Sequence, residues 1–241
     1  MIVKKWKKIL LAIFIGIVVV AVGGLGYLKS QTYSPATAAQ QTADKAEQAK
    51  NWLYFPSKDA SKPMVLFYPG ALVAPESYSV WAKELANAGY PVYILKMPLD
   101  LAVLAPDRGG KILEKHSDRP YVIGGHSLGG VMASRFAANH SKNLSGVFFL
   151  ASYPDEKGSL ADKSLPVLSL TGENDHVLNH DAYEKAKDDL PKNTDYQEIA
   201  GGNHGGFGDY GQQKGDGKSE ITNQNEQVAK RVITWLNDKV N

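Results

Sequence analysis

In this 241-residue chain, Ser127 has the residue type and the neighbours that a catalytic residue requires. It lies in Gly-His-Ser-Leu-Gly at 125–129, at the end of the strand-like run YVIGG and ahead of the helix-like segment VMASRFAANH. A serine on a tight strand-to-helix turn has a strained backbone, needs small neighbours, and projects its Oγ above the sheet edge. The helix N-terminus behind it offers free N–H groups. The pattern predicts a nucleophile; an ordinary glycine-rich turn with a capping serine is the alternative.

A serine nucleophile needs a general base, and the base needs an orienting carboxylate. Two later strand-like runs provide these groups: VLSLTG is followed by the loop that contains Asp175, and YQEIA by the glycine-rich loop that contains His204. Because the carboxyl ends of parallel strands share one edge, we expect both side chains to converge on Ser127. Glu173 is the rival for the acid in the same loop, and His176 could line the site.

The oxygen of an attacked carbonyl needs about two N–H donors. The residue after the nucleophile, Leu128, is expected to supply one. The other is expected from the loop after the run MVLFY, where Gly70 lets the backbone approach closely. We predict the N–H of Ala71, with Leu72 as the close alternative and a plain Pro-Gly turn as the remaining interpretation.

The elements that must position these residues alternate between strand and helix. Predicted strands are Trp52–Phe55, Met64–Tyr68, Val92–Leu95, 121–123, 147–151, 167–171 and 196–199. Predicted helices are 78–88, 110–116, 128–140, 181–190 and 220–240. Several strands are continuously apolar, as strands covered on both faces are. The alternation predicts an α/β fold with a mostly parallel central sheet and helices on both faces.

The N-terminus has the pattern of a membrane segment. Residues 9–28 are 20 residues without a charge, preceded by four lysines, and would span about 30 Å as a helix. We predict a transmembrane signal anchor at 9–28, with residues 1–8 on the cytoplasmic side and the following domain outside the cytoplasm. The alternative is a cleaved signal peptide and a secreted protein.

The composition of the remaining chain predicts a linker and excludes several kinds of partner and site. Residues 29–50 are rich in Ala, Gln and Thr and are predicted to be a linker, helical in part from about Ala43, ahead of a catalytic domain at 51–241.

Of 27 basic residues, the four lysines precede residue 9, so 23 remain against 25 acidic residues, which argues against a nucleic-acid partner. The absence of cysteine excludes disulfides, thiolate metal sites and a cysteine nucleophile.

The segments GGHSLGG, YPGALVAPESY, TGENDHV and GGNHGGFGDYG resemble the α/β-hydrolase fold superfamily over about residues 51–240. More narrowly, they resemble a compact bacterial branch of dienelactone-hydrolase-like and carboxylesterase-like proteins. The resemblance implies Ser127 as nucleophile, Asp175 as acid and His204 as base. Two departures stand out. Many members carry His-Gly where this chain has Tyr-Pro-Gly at 68–70, and dienelactone hydrolases proper use a cysteine.

Loop lengths indicate an open site. Only thirteen residues, 154–166, lie between the segments VFFLASY and VLSLTG, where many relatives insert a cap, so no cap domain is expected. The apolar loop 96–109 could form an acyl pocket or pack beneath the site. The loop 207–217 could contact a polar substrate end or be solvated.

These features predict a membrane-anchored, extracytoplasmic serine hydrolase, a carboxylesterase on short or medium acyl esters that needs no cofactor or metal. Its expected partners are a small-molecule ester and the lipid bilayer; the sequence leaves the oligomeric state open. The alternatives are a peptide, thioester or cell-envelope acyl hydrolase or transferase with the same triad, and a non-catalytic binding protein on the same fold.

Overall fold

The computed structural model describes residues 6, 10, 13, 14, 16, 23, 24, 26–59 and 61–240. The chain divides into two units, Met1–Thr32 and Tyr33–Asn241. In the first unit, residues 26–30 are helical. Most of the transmembrane segment predicted at 9–28 lies outside the described residues. Within the described part, none of the helices has the length and apolar character required to cross a bilayer.

The described residues of the second unit build one eight-stranded sheet in the order β1-β2-β4-β3-β5-β6-β7-β8. The strands are β1 Glu47–Gln48, β2 Trp52–Phe55, β3 Met64–Tyr68, β4 Val92–Leu95, β5 Tyr121–His126, β6 Leu144–Leu150, β7 Val167–Gly172 and β8 Asp195–Ile199. The pairs β1–β2 and β2–β4 are antiparallel, and all other pairs are parallel. The expected mostly parallel sheet is therefore confirmed.

Helices cover both faces of the sheet. They are α1 Thr37–Ala43, α2 Ser79–Asn87, α3 Gly110–Lys115, α4 Leu128–Asn139, α5 His180–Lys185 and α6 Gln224–Trp235. Every residue of β3 is buried, and its side chains alternate between two core clusters. Phe67 belongs to the cluster that contains Trp81 of α2 and Trp235 of α6, and Tyr68 packs with Phe136 of α4 in the other. This two-sided burial explains why the central strands are apolar throughout.

The predicted helix at 220–240 is shorter in the structure. α6 begins at Gln224 and ends at Trp235, and the residues that follow it, Leu236–Val240, form a π-helical turn. The expectation for residues 154–166, which lie between β6 and β7, agrees with the structure. Residues 154–166, all of them described, contain one short 3-10 turn at Glu156–Gly158 and no cap domain.

Residues 33–50 differ from the expected linker, because they pack as part of the second unit. The N–H of Tyr33 donates to the carbonyl of Leu72 at 2.7 Å, and the N–H of Ala74 donates back to the carbonyl of Tyr33 at 3.1 Å. Helix α1 packs against α2 and buries Ala39 and Ala43 completely. Sequence reasoning missed this packing because alanines lack the large apolar side chains that reveal a buried helix face.

Candidate active site

Ser127 occupies the turn between β5 and α4 with φ 52° and ψ −128°, a conformation that non-glycine residues rarely adopt. Close packing explains the flanking glycines. A Cβ on Gly125 would lie 2.4 Å from the carbonyl carbon of Gly129, and one on Gly129 would lie 2.1 Å from the carbonyl oxygen of Tyr68. The glycines of Gly-x-Ser-x-Gly are therefore required by the geometry of this turn, as the sequence predicted.

Backbone strain is concentrated at one edge of the sheet. Among the described residues, six non-glycine residues have positive φ, and five of them follow the carboxyl ends of parallel strands. The five are Leu72 after β3, Leu99 and Asp100 after β4, Ser127 after β5 and Ala151 after β6. Strained residues persist where the surrounding structure fixes them, and they cluster at functional sites. This edge is therefore the candidate site on backbone geometry alone.

The backbone of Ser127 is fixed from both sides. Its N–H donates to the carbonyl of Leu150 at 3.0 Å, and its carbonyl accepts from the N–H of Gly130 at 2.9 Å and from Oγ of Ser152 at 2.6 Å. Sequence reasoning missed Ser152, because a serine just past a strand resembles any turn residue.

Asp175 and His204 form a buried pair. Nδ1 of His204 lies 2.8 Å from Oδ2 of Asp175. The other carboxylate oxygen, Oδ1, accepts from the N–H groups of Val177 at 2.9 Å and Leu178 at 2.8 Å. The carboxylate is thus held in one orientation, and it fixes the orientation of the imidazole.

The rival acid makes a different contact. Oε2 of Glu173 accepts from the N–H of Gly201 at 2.8 Å, so Glu173 braces the backbone ahead of the His204 loop. His176 is exposed, and its side chain does not line the cavity described next. Of the two candidate carboxylates, the structure places Asp175 against the imidazole.

Ser127 and His204 line one cavity of about 230 Å³. Its other walls are Leu128, Val131, Ala151, Ser152, Tyr153, Val177, Leu178 and Asn179. Nε2 of His204 is buried and has no hydrogen-bond partner among the described residues. Because Nδ1 is engaged by Asp175, Nε2 is the ring nitrogen that remains available for proton exchange.

The cavity walls differ from the expected acyl pocket. The loop 96–109 contributes none of them: Met97 is buried in the core, whereas Val103 and Leu104 are exposed. The apolar walls come instead from helix α4, the end of β6 and the loop after Asp175. All of these loops follow strand ends, so their positions in the sequence did not show which of them line the cavity.

The loop after β3 has one free amide among its candidate donors. The N–H of Leu72 donates to the carbonyl of Asp100 at 2.8 Å, and the N–H of Gly70 donates to the hydroxyl of Tyr78 at 2.9 Å. The amide of Ala71 makes no hydrogen bond within the described part of the chain. Leu128 begins a helix, where N–H groups lack intrahelical partners. The geometry therefore favours Ala71 over Leu72.

Asp216 joins the loops that carry the acid and the base. Its Oδ2 accepts from the N–H of Gly205 at 2.8 Å, and its Oδ1 accepts from the N–H of His176 at 3.3 Å. The predicted role of loop 207–217 was substrate contact or solvent exposure, yet none of it lines the cavity. No sequence signal separated Asp216 from an ordinary surface carboxylate. Elsewhere, the described residues hold no group of three His, Asp or Glu side chains suited to a metal ion.

A strained serine after a parallel strand, sharing a cavity with a histidine that is paired to a buried aspartate at the same sheet edge, is the arrangement of the α/β-hydrolase fold. The sequence model of the alpha/beta hydrolase family matches residues 64–228, more than half of the chain. The chain therefore belongs to the alpha/beta hydrolase family, and the resemblance noted from the sequence motifs is confirmed.

Solved structures with this fold are distant in sequence. The esterase domain of a Rhodothermus marinus protein superposes with a TM-score of 0.61 at 11% identity, covering 79% of this chain and 93% of that chain. Est1E from Butyrivibrio proteoclasticus gives 0.61 at 13% identity, covering 80% and 96%. A monoacylglycerol lipase from Paleococcus ferrophilus gives 0.58 at 15% identity, covering 78% and 98%. These likenesses show the fold. A search of curated proteins found no match.

Proposed function

We propose that this protein is a serine hydrolase that cleaves short or medium acyl esters. The observation that carries the proposal is the position of His204. Its Nδ1 is bonded to Asp175, and its Nε2 is buried and unpartnered in the described structure beside the cavity that Ser127 lines. An imidazole held in this way by a carboxylate can accept the proton of a serine hydroxyl that reaches its second nitrogen.

The reaction uses only side chains and backbone amides of this chain. Oγ of Ser127 attacks the ester carbonyl carbon while His204 accepts its proton. The N–H groups of Ala71 and Leu128 donate to the oxyanion of the tetrahedral intermediate. His204 then protonates the leaving alcohol, and an acyl-enzyme remains. Water, deprotonated by His204, attacks the acyl carbonyl, and the acid is released as Ser127 regains its proton.

Cavity size and chemistry support the substrate class. A volume of about 230 Å³ lies below the roughly 300–1,000 Å³ of pockets that hold drug-sized ligands. The walls from Val131, Val177 and Leu178 are apolar, which suits an alkyl chain. Esterases and a monoacylglycerol lipase share the fold. Short acyl esters fit this site better than large substrates.

Anchoring in a membrane is a further part of the proposal, and it rests on sequence. Residues 9–28 carry no charge and follow four lysines, which favours a single span with the catalytic domain outside the cytoplasm. Alkaline extraction of membranes and protease treatment of intact cells test this. Release of the protein by alkali, or a mature N-terminus beyond residue 28, would favour a cleaved signal peptide instead.

The proposed catalytic activity is tested by labelling with a fluorophosphonate, which reacts with activated serines. The full-length protein is expected to be labelled, and Ser127→Ala is not. A panel of p-nitrophenyl esters of increasing chain length, with matched anilides and thioesters, then defines the reaction. If anilides or thioesters are hydrolysed faster than esters, the esterase assignment is replaced by an amidase or thioesterase. If neither the wild type nor Ser127→Ala is labelled, the protein is a non-catalytic binding protein.

A further inference from the structure

Tyr78 joins the loop of the proposed oxyanion donor to the turn of the proposed nucleophile. Its hydroxyl oxygen lies 2.9 Å from the backbone nitrogen of Gly70 and 2.9 Å from Nδ1 of His126. The side chains of Tyr78 and His126 are completely buried. Gly70 directly precedes Ala71, and His126 directly precedes Ser127. One hydroxyl therefore connects the neighbours of two residues assigned to the reaction.

The direction of each hydrogen bond follows from the groups present. A backbone N–H can only donate, so the hydroxyl of Tyr78 accepts from Gly70. Burial raises the pKa of Tyr78, which therefore keeps a hydrogen that it donates to Nδ1 of His126. Burial, with a further contribution from His204, holds the pKa of His126 well below its ordinary value. His126 is thus neutral, and the tautomer with its proton on Nε2 is the one in which Nδ1 accepts the hydrogen of Tyr78.

This contact leaves little freedom to the donor loop. A Cβ on Gly70 would lie 2.8 Å from Nδ1 of His126 and 3.1 Å from the hydroxyl of Tyr78, so the loop approaches as closely as a glycine allows. The ring centroid of His126 also lies 4.6 Å from that of His204. The buried imidazole therefore packs against the proposed base as well as anchoring the donor loop.

We propose that Tyr78 and His126 are positioning residues for acyl transfer, which hold the amide of Ala71 at the place where the oxyanion forms. The inference rests on the proposed function. Neither side chain lines the cavity of Ser127. Tyr78 acts through the Gly70–Ala71 peptide, and His126 acts through Tyr78 as well as through its packing against His204. An oxyanion contact strengthens as charge develops in the transition state, so its loss lowers kcat more than it alters KM.

The test uses the full-length protein and ester hydrolysis. Tyr78→Phe keeps the ring that packs on Phe67 and Trp81 but removes the hydroxyl. We expect kcat to fall about 10- to 100-fold, below the roughly 10²–10³-fold cost of deleting an oxyanion donor. KM should change less than about threefold, because ground-state binding is unaffected.

Tyr90→Phe is the matched control. Tyr90 is equally buried, and its hydroxyl donates to Oδ1 of Asn237 at 2.7 Å, outside the site. The control loses the same atom and should keep kcat within about twofold, while its melting temperature falls by about as much as that of Tyr78→Phe. If the two variants lose kcat equally, the effect on Tyr78 is general destabilisation and the positioning role is refuted.

Variants of His126 provide an independent arm should Tyr78→Phe not fold. In His126→Asn, the amide oxygen can accept from Tyr78 as Nδ1 does, whereas His126→Leu has no acceptor. We expect His126→Asn to retain at least about fivefold more kcat than His126→Leu, in line with the ~1 kcal/mol of one buried hydrogen bond. Equal kcat in the two would overturn the inference.

The outcome for Ser127→Ala separates the two proposals. If Ser127→Ala keeps its activity, the proposed function is wrong. If Ser127→Ala is inactive while Tyr78→Phe retains kcat within twofold, or loses activity through KM alone, the proposed function stands and the positioning role falls.

Discussion

Nδ1 of His204 lies 2.8 Å from Oδ2 of Asp175, across two loops whose residues are 29 positions apart in the chain. Both side chains are buried, and Asp175 is itself held by two backbone N–H groups. The contact leaves Nε2 of His204 without a partner in the described structure, and His204 lines the same cavity as Ser127. The following predictions depend on this relationship and on the loops that support it.

Replacing Ser127 with Ala should lower kcat by about 10³–10⁶, because the nucleophile of the acyl-enzyme is lost. Hydrolysis of p-nitrophenyl butyrate measures the effect. Ser134→Ala is a suitable control, since Ser134 is a buried serine of helix α4, which follows Ser127, and its Oγ donates to the carbonyl of Val131. Equal loss in the control would attribute the effect to the fold rather than to the nucleophile.

Asp175→Asn should lower kcat by about 10⁴, because an amide cannot stabilise the imidazolium that forms on His204. Glu173→Gln should lose little, since its amide oxygen can still accept from the N–H of Gly201. Steady-state kinetics of the two variants decide between them. The opposite ranking would assign the acid to Glu173.

Gly70→Ala should reduce kcat at least about 10²-fold, because the new Cβ would collide with His126 and Tyr78 and displace the amide of Ala71. Gly110→Ala is the matched control: a Cβ there meets nothing within 4 Å, and the position lies in helix α3. The control should be stabilised by about 0.4–1 kcal/mol in urea denaturation and keep full activity. Full activity of Gly70→Ala would exclude the tight contact.

Acid should weaken the fold through His126. Burial lowers the pKa of this histidine in the folded state, so between that pKa and about 6.5 the unfolded chain binds more protons. The contribution of His126 to stability is complete above about pH 6.5 and is lost as the pH falls through this window.

Urea denaturation of wild type and His126→Asn between about pH 7 and pH 5 measures this contribution. The free energy of unfolding of the wild type should fall more steeply on acidification, by up to about 1.4 kcal/mol per pH unit. Burial also lowers the pKa of His116, which affects both proteins equally. Parallel curves would contradict the prediction.

A chain that begins at residue 33 should be more stable and more active than one that begins at residue 51. The shorter chain lacks the hydrogen bonds of Tyr33 to Leu72 and Ala74 and the buried helix α1. Two bonds to the donor loop are removed at once, so the loss should appear in kcat as well as in the melting temperature. Identical melting temperatures would make residues 33–50 dispensable.

Local patterns in the sequence indicated the strands, the elbow and the order of the three site residues, because each depends on neighbours along the chain. Apolar runs become buried strands when helices cover both faces of the sheet, and Gly-x-Ser-x-Gly is imposed by contacts within one turn. The predicted strand bounds accordingly lie within a few residues of those observed.

Only the tertiary structure showed which groups from distant segments contact each other at the sheet edge. The choice of Asp175 over Glu173, the occupied amide of Leu72, the bracing by Asp216 and the packing of residues 33–50 all follow from distances between distant segments. The sequence does not show whether a carboxylate or an amide is buried against an imidazole or exposed to solvent. The identity of the side chain fixes what it can donate or accept, and only the folded backbone determines to which partner.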